Sequence, residues 1–267
     1  MVRAQGTFTS ITGQVMFIGS SLAMLLSSWI LPPKERPVGR IVLVLASVAI
    51  ISMIGVSGSR SAFVLAFIVL LFTQLSSLFW LRRRESMRAF VFPILIVMVG
   101  AWIIVSFYTT QFETLAARVV SLSSENTGYL SIGEIVLRPW GDIEGAWYAM
   151  FIAPVFGYGL GTGGNAGMGF GGVIAEGEWS RHIIDLGPFL GLAFIVLRVA
   201  FVWVMGREAV FATRSSNNPL PLYLFGFVAV VMFNGQLIGQ GAGNGYGWIF
   251  SGLCMASSKI AMSKKSS

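Results

Sequence analysis

Charge is scarce in this sequence. Of its 267 residues only 11% are Asp, Glu, Lys or Arg, less than half the share usual in a soluble domain. That scarcity, joined to 55% hydrophobic residues and a mean hydropathy of +0.78, argues against a soluble globular enzyme and against a nucleic-acid-binding module. It also excludes disorder, which needs few apolar residues and many charges. Cysteine is nearly absent: Cys254 stands alone, so no internal disulfide and no cysteine-held metal cluster can form. Histidine is equally rare, and with only His182 a two-histidine zinc site within one chain is excluded. No repeat of 20 to 50 residues is visible. Met1 does not open a secretory signal, since no basic start, short apolar core and small-residue cleavage site follow it.

What the sequence has is long apolar runs, of the roughly 20 residues needed to cross a bilayer. The run 15–31 ends at Pro32-Pro33, because proline cannot continue a helix. Runs 41–59 and 61–81 are separated by a tight turn around Gly58-Ser59-Arg60. A fourth covers 89–108, and a fifth, 186–205, is interrupted by Arg198. The uncharged stretch 215–258 is too long for one crossing. Six glycines between 235 and 247 divide it into a sixth span and a shorter seventh. The expected fold is therefore an all-α integral membrane domain, residues 1–267, of about seven transmembrane helices. One large extracytoplasmic loop, 109–185, containing short helices, is inserted between spans four and five.

The formal net charge of +7 belongs to topology rather than to a nucleic-acid partner. Short loops carrying Lys and Arg face the cytoplasm. With seven spans, Lys34, Arg36 and Arg40, then Arg82, Arg83, Arg84 and Arg88, then Arg207 and Arg214, then Lys259, Lys264 and Lys265 all fall on one side. The N-terminus, Arg60 and the 109–185 segment then face outward, and the C-terminus faces the cytoplasm, as in a multi-pass membrane protein.

Eight of the eleven acidic residues lie in the outer segment, as do Arg118, Arg138, Arg181 and His182. Trp140, Trp147, Tyr148, Phe151, Phe156 and Trp179 give it apolar anchors, and apolar spacing near 3.6 predicts helices over 112–122 and 141–152. Pro154-Val-Phe-Gly157-Tyr-Gly159-Leu-Gly161-Thr-Gly163-Gly164 is a glycine-rich loop without the Gly-Lys-Ser/Thr of a phosphate-binding P-loop. It reads either as a flexible lid or turn, or as an anion site built from backbone amides. The glycines from Gly167 to Gly172 read as a plain loop. Glu176-Gly-Glu178-Trp179-Ser-Arg181-His182-Ile-Ile-Asp185 is the densest polar cluster. On a helix, Glu178 reaches Arg181 at i, i+3 and His182 at i, i+4, and His182 reaches Asp185 at i, i+3. One turn then presents a histidine flanked by two carboxylates. Either it acts as a base on a hydroxyl, or it is an ion-pair network anchoring a helix end at the interface. Arg60 reads as a phosphate ligand or as a turn arginine snorkelling to the surface. Arg198 reads as a snorkelling or helix-pairing residue.

Four segments together resemble the O-antigen ligase and O-antigen polymerase superfamily of bacterial membrane glycosyltransferases. They are Arg3-Ala-Gln-Gly6-Thr7-Phe8, the turn Gly58-Ser59-Arg60-Ser61-Ala62, the P-x-x-G-x-G-x-G stretch from Pro154 to Gly161, and the stretch from Trp179 to Gly191 with Asp185-Leu-Gly187-Pro. They extend over nearly the whole chain, which matches the C-terminal half of a typical member. The resemblance implies transfer of a glycan, on the periplasmic face, from a polyprenyl-pyrophosphate donor to another glycan or a lipid-borne sugar. It implies arginines on the pyrophosphate, with Arg60, Arg118, Arg138 and Arg181 as candidates, and a base at His182, with Glu178 and Asp185 as substitutes for it. The ligase pattern of His followed by Asn or Ser is not matched, since Ile183 follows. Fixed arginines can neutralise the leaving group without a metal or other cofactor. The expected partners are the lipid-linked donor, the acceptor and membrane lipids. Two other readings stand beside this one. A transporter or permease subunit would use Asn234, Gln236 and Gln240 at a broken span, and an inactive partial member of the family would have no activity of its own.

Overall fold

The computed structural model describes residues 11–31, 36–57, 59–80, 132–162, 177–237 and 240–266. Among the described residues all regular structure is helical: α1 (Ile11–Ile30), α2 (Arg40–Ser57), α3 (Arg60–Trp80), α4 (Ile132–Ile152), α5 (Glu178–Leu186), α6 (Pro188–Ser216), α7 (Leu220–Asn234) and α8 (Gly241–Ser266). Three helices are long and apolar enough to cross a membrane: Ile11–Ile30, Ser61–Trp80 within α3, and Pro188–Ser216. Two more, Arg40–Gly55 and Leu220–Asn234, are apolar but shorter. Helices of this kind mark a membrane protein. The segment 3–8, the expected span at 89–108, the expected helix at 112–122, Arg118 and the glycines 167–172 lie outside the described residues.

Three helices run beyond their expected limits; α4 begins at Ile132, ahead of the expected start at 141. α6 continues to Ser216, and its 29 residues give a length of roughly 43 Å. The hydrocarbon core is about 30 Å thick, so its polar end with Arg207 and Arg214 can stand clear of lipid. α8 starts at Gly241 and carries Gly243, Gly245 and Gly247 inside the helix. The glycine-rich break expected over 235–247 therefore contracts to the few residues between α7 and α8.

The described residues form two compact units. The first contains α1 to α3 with Val204–Val230 and Gly245–Ser267. Its core includes Ile18, Leu26, Val69, Tyr223 and Phe227, all buried. Gly19 lets Leu65 and Phe227 approach α1: a Cβ there would lie 2.6 Å from Leu65 Cδ2. Serines inside α1 return their hydroxyl protons to their own helix, as Ser27 and Ser28 do to Met24 O at 2.8 Å each, which satisfies them where water is absent. The carboxyl end of α1 is capped by Arg36, which donates to Trp29 O and Leu31 O at 3.0 Å each. A cation there also meets the negative end of the helix dipole.

The second unit is drawn from Ala117–Trp203 and Val231–Asn244. Its core joins Ala146 and Ala149 of α4, Ile183 and Ile184 of α5, and Ile195 of α6, with Met150, Ile152, Ala153 and Trp179 packed against it. This unit holds the polar cluster singled out by the sequence.

Candidate functional site

α5 is nine residues long and buries Glu178, Arg181, His182 and Asp185 as well as its isoleucines. Two of the three spacings anticipated for this turn appear as contacts, both from Glu178: Arg181 Nη1 lies 3.4 Å from Glu178 Oε2, and His182 Nε2 lies 3.8 Å from Glu178 Oε1. The helix stops at Gly187, whose N–H donates to Ile183 O at 2.8 Å. Pro188 then opens α6, the helical position where a missing N–H costs nothing. Gly191 allows the first turn of α6 to lie against α5, since a Cβ there would meet Ile183 Cα at 2.6 Å.

Arg198, three turns into α6, completes the cluster. Its Nη1 lies 2.6 Å from His182 Nε2 and 3.9 Å from Glu178 Oε1. Its Nε donates to Met232 O at 2.8 Å and its Nη2 to Gly235 O at 2.9 Å. A helix leaves its last four carbonyls without partners inside the helix. At the end of α7 three of them find partners beyond the helix: Arg198 takes Met232 O, Trp179 Nε1 donates to Phe233 O at 3.0 Å, and Gly235 N–H returns to Val231 O at 2.8 Å. Beyond the helix, Leu237 N–H donates to Glu178 Oε1 at 2.9 Å. Asn234 Nδ2 donates to Asp142 Oδ2 of α4. The charged turn thus closes the carboxyl end of α7, a helix end that neither lipid nor apolar packing can satisfy.

A guanidinium can only donate, so Nε2 of His182 is the acceptor and the ring proton sits on Nδ1. Among the described residues Nδ1 has no hydrogen-bond partner, and the ring has no exposed surface. Phe194 meets the ring edge-on at 4.7 Å. Burial, then the charge of Arg198, then that of Arg181, push the histidine down from 6.5 to about 3. The imidazole is therefore neutral at physiological pH and orients Arg198. Because the folded value lies below the unfolded one, an unfolded chain takes up the proton first. The contribution of His182 to stability is whole above pH 6.5 and is lost as pH falls toward about 3. His182→Gln, which keeps an acceptor, is expected to flatten the acid limb of thermal stability in detergent over that window, by up to about 1.4 kcal/mol per pH unit. An unchanged acid limb would contradict a buried neutral histidine.

Asp185 faces the glycine-rich loop. Its Oδ2 accepts Gly161 N–H at 2.9 Å and its Oδ1 lies 3.1 Å from Thr162 Oγ1. The backbone joins the same contact: Tyr158 N–H donates to Ile184 O at 2.9 Å and Gly159 N–H to Asp185 O at 3.1 Å. Gly157, Gly159 and Gly161 all adopt positive φ. The loop is a set of turns fastened to the end of α5, where the Asp185 carboxylate takes one of its amides and the Thr162 hydroxyl.

Of the sequence candidates, Glu178, Arg181 and His182 come together, while Asp185 closes the loop at the other end of the same helix. Arg138 lies within α4 in the second unit and Arg60 heads α3 in the first. Arg198 was legible only as a snorkelling or helix-pairing residue, and its place at the centre of the cluster gave no local signal. Asp142, Trp179 and Asn234 likewise acquire partners that no spacing foretold. No protein family, characterised protein or solved structure matches this chain.

Proposed function

We propose that this chain is an envelope polysaccharide polymerase or ligase, or a truncated relative of one, in the bacterial inner membrane. In this reading it has about seven spans and a large outer loop. It transfers a glycan from a polyprenyl-pyrophosphate donor to a glycan or lipid-borne acceptor on the periplasmic face. The observation that carries the reading is the joining of two family-like segments. The stretches Pro154 to Gly161 and Trp179 to Gly191 are separate in sequence, yet Asp185 and the Ile184 and Asp185 carbonyls bind three amides of the glycine-rich loop. That folded pair stands at the amino end of a helix long enough to cross a membrane.

In the proposed reaction the acceptor hydroxyl attacks the anomeric carbon, the bond to the pyrophosphate oxygen breaks, and polyprenyl pyrophosphate leaves. Arginines, for which the resemblance implies Arg60, Arg118, Arg138 and Arg181, neutralise the leaving group by planar, permanently charged forks. The acceptor proton passes to the α5 turn. His182 can take it only when Arg198 releases Nε2, so binding of substrate has to loosen that contact. Glu178 and Asp185 position the turn through Leu237 N–H and the loop amides. The transporter reading draws on the break between α7 and α8. The α7 carbonyls there are already occupied by Arg198 and Trp179, which weighs against their use by a solute.

Complementation tests the proposal. In a strain lacking its own copy, the wild-type chain is expected to restore long envelope glycans. Arg60→Lys and Arg138→Lys are expected to shorten them at equal protein level. Glycan profiles identical for wild type, both variants and empty vector would overturn it.

A further inference from the structure

α4 and the loop after it are inside out by the standards of a soluble protein. The fully buried positions of α4 are small: Ala146 and Ala149 are buried, and Gly145 lies against Ser180, where a Cβ would be 3.8 Å from its side chain, with Met150 and Ile152 packed partly against the same core. The aromatic side chains point away. Ile143, Trp147 and Phe151 follow one another at i, i+4 and i+8 on the outer face, with Tyr148 beside them, all exposed. The loop continues the pattern, with Phe156 84% and Leu160 72% exposed. Its exposure is built in, because the backbone is tied to Ile184 and Asp185 by the amide bonds described above. Between residues 143 and 162 the only charged side chain is Glu144.

Two features identify what covers this surface. The first is continuity with lipid-facing structure. The loop abuts the start of α6: a Cβ on Gly187 would lie 2.1 Å from Val155 O. In its first turns α6 exposes Phe189, Leu190, Val196 and Leu197, as a membrane-crossing helix does. The second is composition. Tryptophan and tyrosine combine an apolar body with a polar tip and concentrate where acyl chains meet headgroups. With no Lys or Arg in the stretch, attachment depends on apolar area and not on anionic lipid.

We propose that residues 143–160 are a membrane-interface anchor, in which Ile143, Trp147, Tyr148, Phe151, Phe156 and Tyr158 seat at the headgroup–acyl boundary beside the amino end of α6. The anchor holds the α5 turn and its loop at the membrane surface, the level at which any lipid-linked substrate presents its headgroup. It stands independently of the reaction proposed above.

Nitroxide labels at Phe151→Cys and Phe156→Cys test it in the full chain, reconstituted in phosphatidylcholine vesicles. Cys254 is buried, and mock-labelled wild type measures its background. Collisions with oxygen are expected to exceed those with a water-soluble nickel chelate at both positions. The derived depth should be about 5–10 Å below the phosphates, shallower than a label at Val196→Cys. The values are expected to stay the same in high salt and on addition of phosphatidylglycerol. Predominant nickel collisions would put the segment in water, and low collisions with both reagents would mean a protein cover such as a second copy. Either result overturns the anchor.

Discussion

Replacing Arg198 with methionine is expected to cost about 3–5 kcal/mol of stability, the range for breaking a buried ion pair by removing one partner. The side chain is 4% exposed and serves four acceptors: Met232 O, Gly235 O, His182 Nε2 and, at 3.9 Å, the Glu178 carboxylate. Methionine matches its volume and supplies none of the donors. Two carbonyls at the end of α7 are then stranded where water is scarce, and a buried carboxylate loses a counter-charge. Lysine is expected to rescue little, because one ammonium cannot reproduce three donors in a fixed planar fork. Thermal unfolding in detergent reads the effect, and a melting temperature near wild type for Arg198→Met would contradict it. Glu178→Gln tests the same network from the other side. Because the two residues share one network, the double variant is expected to lose less than the sum of the singles.

Gly187→Ala is expected to be the most damaging single-atom change in the second unit. Gly187 sits at φ 83°, ψ 167°, a region in practice reserved for glycine and worth about 1–3 kcal/mol of strain for any other residue. An alanine Cβ would also lie 2.1 Å from Val155 O and 2.8 Å from Gly157 N. Backbone cannot swing aside as a side-chain end can, so the loop has to leave Asp185. Gly159→Ala separates the two causes: φ is 100°, but nothing lies within 4 Å of its Cβ. It is expected to carry the strain alone and to keep the loop in place. Limited proteolysis across 155–162, with thermal unfolding alongside, distinguishes the pair. Equal resistance of wild type and Gly187→Ala would contradict the clasp.

Local pattern made part of this structure legible and hid the rest for a physical reason. Apolar runs located α1, α2, α3 and the start of α6, because a helix in lipid needs only length and apolar composition. The i, i+3 and i, i+4 spacing of Glu178, Arg181 and His182 showed which side chains could meet, because α5 is one short helix. Arg198 pairs with carbonyls 34 and 37 residues away, and Asn234 with Asp142 across 92. Such contacts depend on packing and leave no periodic trace. α4 was visible over 141–152 from apolar spacing, yet that spacing does not say which face turns inward. In water the large residues would be buried, whereas here the alanines are buried and the aromatics exposed. The glycine-rich loop left a lid and an anion site open, and three of its amides are spent on Asp185 and on carbonyls of α5.

Glycan transfer by the purified chain is the most direct test of the account. In vesicles given a polyprenyl-pyrophosphate oligosaccharide and an acceptor glycan, the wild-type chain is expected to lengthen the acceptor. Polyprenyl pyrophosphate should be released in equal amount, and Arg138→Lys should slow both together. Folded, reconstituted protein that releases no more polyprenyl pyrophosphate than empty vesicles, across a panel of donors, would contradict it.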